Sequence, residues 1–144
     1  MPSRFYEQDV RSGLKNKRKL SAFLDKLALK HRKKLKMVSF TYIFCSDDAL
    51  LEINQQFLNH DTYTDIITFD LSENDNELTG EIYISKDRVT ENAEKFKTAY
   101  ADELHRVIFH GALHLCGFKD KSKADSTEMR RQEDKCLKQY SKEL

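Results

Sequence analysis

Residues 110 to 120 read His-Gly-Ala-Leu-His-Leu-Cys-Gly-Phe-Lys-Asp, and this run constrains the fold more than any other part of the chain. His110 and His114 are four residues apart, so on a helix they project from one face, one turn apart, and both imidazoles can reach one ion. Gly117 can take the left-handed conformation that ends a helix and turns the chain back. Asp120 then returns toward the same point as a third, oxygen donor. Three protein ligands with an open fourth position describe a catalytic metal site rather than a structural one. The bland alternative is a hydrogen-bonded core pair, since Val107, Ile108, Phe109, Leu113 and Leu115 surround the two histidines. Two buried imidazoles would each need a partner, and one shared metal supplies both.

The rest of the chain supplies a frame for that helix. Arg4 to Tyr6 reads as a short strand. Leu20, Phe23, Leu24, Leu27, His31 and Leu35 recur at helical spacing, with Lys and Arg opposite. Met37 to Cys45 alternates and is β-branched or aromatic, which predicts a strand. Ser46 can cap a helix with Asp47 and Asp48 in its first turn. Strands are expected over Asp65 to Asp70 and Gly80 to Ser85, with a polar turn over Ser72 to Thr79. Helices are expected over Lys86 to Phe96, Tyr100 to Cys116 and Asp125 to Tyr140. The fold class is therefore α+β: a single domain over residues 1–144, with a small mixed sheet of about four strands packed by helices and the metal site at the end of a central helix.

At 144 residues one core can be buried without staples. No apolar run is long enough to span a bilayer, and the first residues have no apolar signal-like stretch. The three cysteines are odd in number and lack C-x-x-C spacing, so free thiols in a reducing cytoplasm are expected, with no disulfide-linked partner. Charge is unevenly distributed. Lys15 to Lys36 holds ten Lys or Arg against Asp25 alone, while Asp47 to Glu103 holds fifteen acidic residues against four basic ones. The basic segment can track a phosphate backbone or can be a solvated helix face.

Proteases of the His-Glu-x-x-His kind place their general base directly after the first histidine. That position is Gly111 here, which cannot take a proton. Glu81 is the expected general base, on a strand whose neighbours alternate, with an ordinary solvent-facing strand residue as the alternative, and His114 is expected to act in catalysis as well as in metal binding. Thr64 and Asp65 could line the cleft, but read first as a turn or strand entry satisfying local backbone groups. Cys116, beside the terminal glycine, reads as a packed residue. His105 and His31 lack ligand-like spacing.

The run His110 to Gly117 resembles the hallmark His-Gly-x-Leu-His-Leu-x-Gly-x-Asp-His of the YbeY endoribonucleases, metal-dependent factors of bacterial rRNA maturation and ribosome quality control. Upstream, Ile53-Asn54, Asp61, Thr64-Asp65 and Thr68-Phe69 resemble the family's Leu-Asn…Asp-x-Pro-Thr-Asp-Val-Leu-Ser-Phe stretch. Gly80-Glu81-Ile82 resembles its Gly-Asp-Ile strand, and Met129 and Glu133 fall where it has Met-x-x-x-Glu. The resemblance covers roughly residues 37 to 140. It implies a single-strand-specific endoribonuclease acting at the 3′ end of 16S rRNA, with rRNA and the small ribosomal subunit as partners. Phosphodiesters would be hydrolysed by metal-activated water.

Two positions depart from the family pattern. Asp120 stands where the third ligand is usually histidine, and Leu58 stands where an arginine is usual. The set His110, His114 and Asp120 suits Zn2+, with nickel, cobalt or manganese as alternatives. Lys17, Arg18, Lys33 and Lys34 are expected to hold RNA through phosphates, and His60, Lys119 or Lys121 to replace the missing arginine. Two other classes stay open. One is a metal hydrolase of another substrate. The other is a ribosome-associated RNA-binding protein with a structural metal and little catalysis.

Overall fold

The computed structural model describes residues 3–59 and 63–143. Two nine-residue strands form the centre of the sheet: β2 (Met37–Cys45) and β4 (Glu77–Ser85), parallel and in register from Met37 opposite Glu77 to Cys45 opposite Ser85. The short β1 (Arg4–Glu7) pairs parallel with β2, and β3 (Ile66–Asp70) pairs antiparallel with β4, giving the order β1-β2-β4-β3. Parallel neighbours require crossovers. α1 (Lys17–His31) links β1 to β2, and α2 (Asp47–Leu58) leads from β2 towards β3. Then α3 (Lys86–Lys95), α4 (Tyr100–Leu115) and α5 (Lys123–Glu143) follow the sheet. The mixed sheet and five helices among the described residues form the expected α+β domain.

Strand alternation decides what each face covers. Val38, Phe40, Tyr42 and Phe44 of β2 share a face with Leu78, Ile82 and Ile84 of β4, and these side chains bury against α1, α4 and α5 in the main core. The opposite face carries a smaller cluster of Cys45, Leu50 and Ile67 with Ile53, Phe69 and Tyr83, covered by α2. Phe23, Phe109 and Tyr140 lock the three main helices together, with ring centroids 5.2 to 5.7 Å apart. No helix among the described residues is long and apolar enough to cross a membrane, and the three cysteines are free.

Some boundaries differ from the sequence expectation. α1 ends at His31, and Leu35 is buried from the turn beyond it rather than from a further helical turn. β4 starts at Glu77, three residues before Gly80, because pairing with β2 extends the alternation through buried Leu78. α5 runs from Lys123 to Glu143, longer at both ends than its apolar stripe.

α4 lies deepest, with Leu104, Val107, Ile108, Phe109, Ala112, Leu113 and Leu115 all buried. The Tyr42 hydroxyl donates to the Ile108 carbonyl at 2.8 Å, tying the helix to β2. Gly111 sits where α4 meets the sheet. A Cβ there would lie 2.9 Å from Ile82 Cγ2, closer than real contacts allow, and a tight 3.0 Å from Ile66 Cδ1. Gly111→Ala gains about 1 kcal/mol of helix propensity but overpacks a rigid branched side chain, which costs about 1–3 kcal/mol. A net loss of up to about 2 kcal/mol is expected in urea unfolding. Unchanged or raised stability would show that the sheet yields freely at this point.

Candidate active site

α4 ends in a Schellman turn. The Phe118 amide donates to the Leu113 carbonyl at 3.1 Å and the Gly117 amide to the His114 carbonyl at 3.0 Å, with Gly117 at φ +111°. The chain then doubles back, and Asp120 Oδ2 stands 3.2 Å from His110 Nε2. On its other side His110 Nδ1 meets Glu133 Oε2 of α5 at 2.7 Å. Glu133 is 5% exposed. Its second oxygen accepts from Arg106 Nη1 at 3.0 Å, while Arg106 Nη2 donates to Asp134 at 2.7 Å. An Nδ1–H donated to a carboxylate fixes the ring and presents Nε2 to the cavity, the arrangement found behind metal-ligating histidines.

The cavity around His110 has a volume of about 280 Å3, and Asp65, Glu103, Arg106, Asp120 and Glu133 line it with His110. Burial alone would lower the His110 pKa. The hydrogen bond and charge of Glu133, with the charges of Asp65 and Asp120, overcome burial and raise it above the ordinary imidazole value. Burial raises Asp65, with His110 opposing. It also raises Glu103, against the charges of Arg106 and Arg130. Two carboxyls that hold their protons more tightly than usual, in a cleft beside a histidine, are candidate proton carriers.

The residue types fit a divalent ion, and the geometry brings together two of the three expected donors. Ligands on a tetrahedral ion with bonds of about 2.0–2.1 Å lie about 3.3 Å apart, close to the 3.2 Å between His110 Nε2 and Asp120 Oδ2. His114 stands one turn on, exposed, with its ring centroid 6.4 Å from that of His110. Among the described residues no three His, Cys, Asp or Glu side chains converge as a metal cluster. Cys116 is packed against the core, and burial pushes its thiol up to about 11, so it offers no thiolate.

Glu81 is a correction. It alternates with Ile82 and so lies on the α2 face of the sheet, opposite α4, where its Oε1 accepts from the Tyr83 hydroxyl at 3.3 Å. It cannot reach a water at His110. Asp65 lines the cavity instead, the cleft role that stood beside the strand-entry reading. Thr64 does serve locally, donating to the Ile66 carbonyl at 3.4 Å. His60 lies outside the described residues. Leu58 is exposed at the end of α2, in a separate hollow with Tyr63 and Thr68.

The basic segment divides. Lys17 and Arg18 open α1, while Lys33 and Lys34 follow its far end, about 22 Å away for a helix of this length. Only that far end adjoins the motif, where the His31 ring packs on Phe118 at 4.9 Å. Lys119 and Lys121 are exposed on the loop that carries Asp120. Glu103, Arg106 and Glu133 had no role assigned from sequence. For Glu103 and Arg106 the available signal was charge at helical spacing on the largely apolar α4, and for Glu133 on α5 it was the Met-x-x-x-Glu match.

The His110–Glu133 pair has a pH signature in metal-free protein. The folded-state pKa of His110 is raised, so the pair's stabilisation is complete below the unfolded value of about 6.5 and is lost as pH rises through the folded pKa. Urea midpoints are expected to fall across that window. Glu133→Gln should flatten this dependence and drop the His110 pKa, read from its imidazole NMR titration. Glu133→Ala, which leaves Arg106 with Asp134 alone and removes the partner of His110 Nδ1, should cost about 1–3 kcal/mol. A wild-type His110 titrating at or below the ordinary value would contradict the pairing.

The family model for endoribonuclease YbeY matches residues 6–141. The chain is 60% identical over 99 residues to endoribonuclease YbeY of Flavobacterium psychrophilum, spanning 69% of this chain and 70% of that protein. It is 44% identical over 133 residues to endoribonuclease YbeY of Cytophaga hutchinsonii, spanning 92% of each. The solution structure of TM1509 from Thermotoga maritima is similar at a TM-score of 0.61 and 30% identity, over 98% of this chain and 90% of that one. With a match over nearly its whole length and relatives this close, the chain belongs to the YbeY endoribonuclease family.

Proposed function

We propose that this protein is an endoribonuclease that hydrolyses phosphodiesters in single-stranded RNA with a divalent metal, Zn2+ or a neighbouring transition ion. His110, His114 and Asp120 would hold the ion. The observation that carries the reading is His110, fixed by Glu133 at 2.7 Å, with its free nitrogen 3.2 Å from Asp120 inside a carboxylate-lined cavity. A bound divalent ion supplies a water of lowered pKa and a Lewis acid for the phosphoryl oxygen. Glu133 keeps the His110 ring in one orientation, and Arg106 keeps Glu133 in place. Asp65, which lines the same cavity as His110, would accept the proton of the attacking water. The biological substrate in this reading is rRNA at the 3′ end of the 16S molecule on the small ribosomal subunit, in the cytoplasm, as part of ribosome quality control.

Leu58, with no guanidinium, favours a second reading in which the protein binds ribosomal RNA and the metal is structural. Cleavage of single-stranded and duplex RNA by metal-loaded protein separates the two. Cleavage of the single strand is expected to stop on chelation and on His110→Ala or His114→Ala, and Asp65→Asn should lower kcat by about 10²–10⁴ with KM little changed. Turnover that survives both chelation and His114→Ala would rule out the metal mechanism. Metal-dependent RNA binding without turnover would favour the second reading.

A further inference from the structure

The cavity at His110 continues outward between α3, α4 and α5, where Asn92, Phe96, Ser126, Met129 and Arg130 line it. None of these residues belongs to the histidine motif. We propose that this extension is a subsite for one nucleotide of single-stranded RNA, with the Arg130 guanidinium on its phosphate and the Phe96 ring against its base. The proposal rests on the ribonuclease reading and specifies how that site holds its substrate.

Charge supports this assignment. The inner cavity is rich in carboxylates, and its one inner guanidinium, Arg106, is committed to Glu133 and Asp134. Arg130 is exposed, lines the same cavity and makes no ion pair among the described residues. It is the single charged group among the five residues of the extension. Its charge acts on Glu103 across the cavity, but its planar fork of N–H donors is not spent on an ion pair, and at the rim of a phosphodiester site it matches a phosphate's two oxygens. It also supplies from α5 the cation that Leu58 cannot supply from α2.

Shape and surface support it too. Phe96 follows α3 and is 52% exposed, with the Lys95 ammonium 5.6 Å from its ring centroid. An open aromatic beside cations is the usual platform for an unstacked base, because every base offers a π-face. The cavity volume of about 280 Å3 falls just under the range of small-molecule pockets, about 300–1,000 Å3. That volume spans the inner cavity as well as the extension, so the site is on the scale of one nucleotide at most. A nucleotide seated there sets the neighbouring phosphodiester beside His110 and Asp120.

Fluorescence anisotropy with a labelled single-stranded oligoribonucleotide of about eight residues, in chelator, reads binding without turnover. Arg130→Ala is expected to weaken binding about tenfold and to reduce the slope of log Kd against log salt by about 0.7, one phosphate contact on a single strand. Arg130→Lys should keep the slope. Phe96→Ala should weaken binding about tenfold with the slope unchanged, and Phe96→Tyr should restore it. Both residues are exposed at the cavity rim, and unchanged urea midpoints would exclude a folding effect. Arg130→Ala and Phe96→Ala proteins that bind like wild type overturn the subsite even if the enzyme cleaves RNA. So does a duplex of the same sequence that binds as tightly as the single strand. Wild-type protein that binds through both residues but never cleaves overturns the ribonuclease reading and leaves the subsite standing.

Discussion

The close approach of α4 to the sheet at Gly111 is the contact on which the site depends. Because Gly111 has no side chain, the helix lies directly on Ile82 and Ile66. His110 precedes Gly111 on the helix and Asp65 precedes Ile66 at the start of β3, so the contact that seats the helix also sets these two groups side by side. Their mutual electrostatic influence follows from that placement. The neighbouring flank of α4 packs on α5, which brings Glu133 to the other nitrogen of the ring. A bulkier residue at 111 would thus disturb the core and the site together. Its absence also removes the base that a metalloprotease would carry there.

The cavity concentrates charge that its own residues do not balance. Asp65, Glu103, Asp120 and Glu133 face two guanidiniums and one imidazole. Burying carboxylates is costly unless each is paired or protonated. Glu133 is paired twice. Asp65 and Glu103 respond to burial by holding protons more tightly. A divalent cation at His110 and Asp120 would relieve the remaining excess, which gives the metal reading an electrostatic ground beyond the spacing of the histidines.

The frame was largely legible in the sequence because strand and helix periods are local. The alternation of Met37 to Cys45 and the apolar girth of Tyr100 to Leu115 both became the elements they predict. Periodicity does not say which face of a strand meets which helix, and that is why Glu81 was placed on the wrong side. Nor does it reveal partners brought together by tertiary folding. Glu133 is 23 residues from His110 and Asp65 is 45 residues before it. The i, i+4 spacing also conceals an asymmetry. Four residues turn a helix by about 400°, so the second side chain is rotated about 40° from the first. On a helix as sunken as α4, that rotation is enough to leave His110 half-buried in the cavity and His114 exposed.

Asp120 changes the character of the site more than an exchange of one donor for another suggests. A neutral histidine at this position would bring no charge to His110 Nε2. The carboxylate pairs with that nitrogen at 3.2 Å, so the returning loop after Gly117 is anchored to α4 even without an ion. The same pairing would oppose uptake of the proposed ion, because His110 could bind one only through a deprotonated Nε2 and the surrounding carboxylates favour the proton. With an ion bound as proposed, the aspartate would exchange some affinity at low pH for a loop already held in place. An oxygen donor would also tilt the site towards harder ions than a third imidazole. Both effects follow from one residue, and both are specific to a chain that carries a carboxylate at position 120.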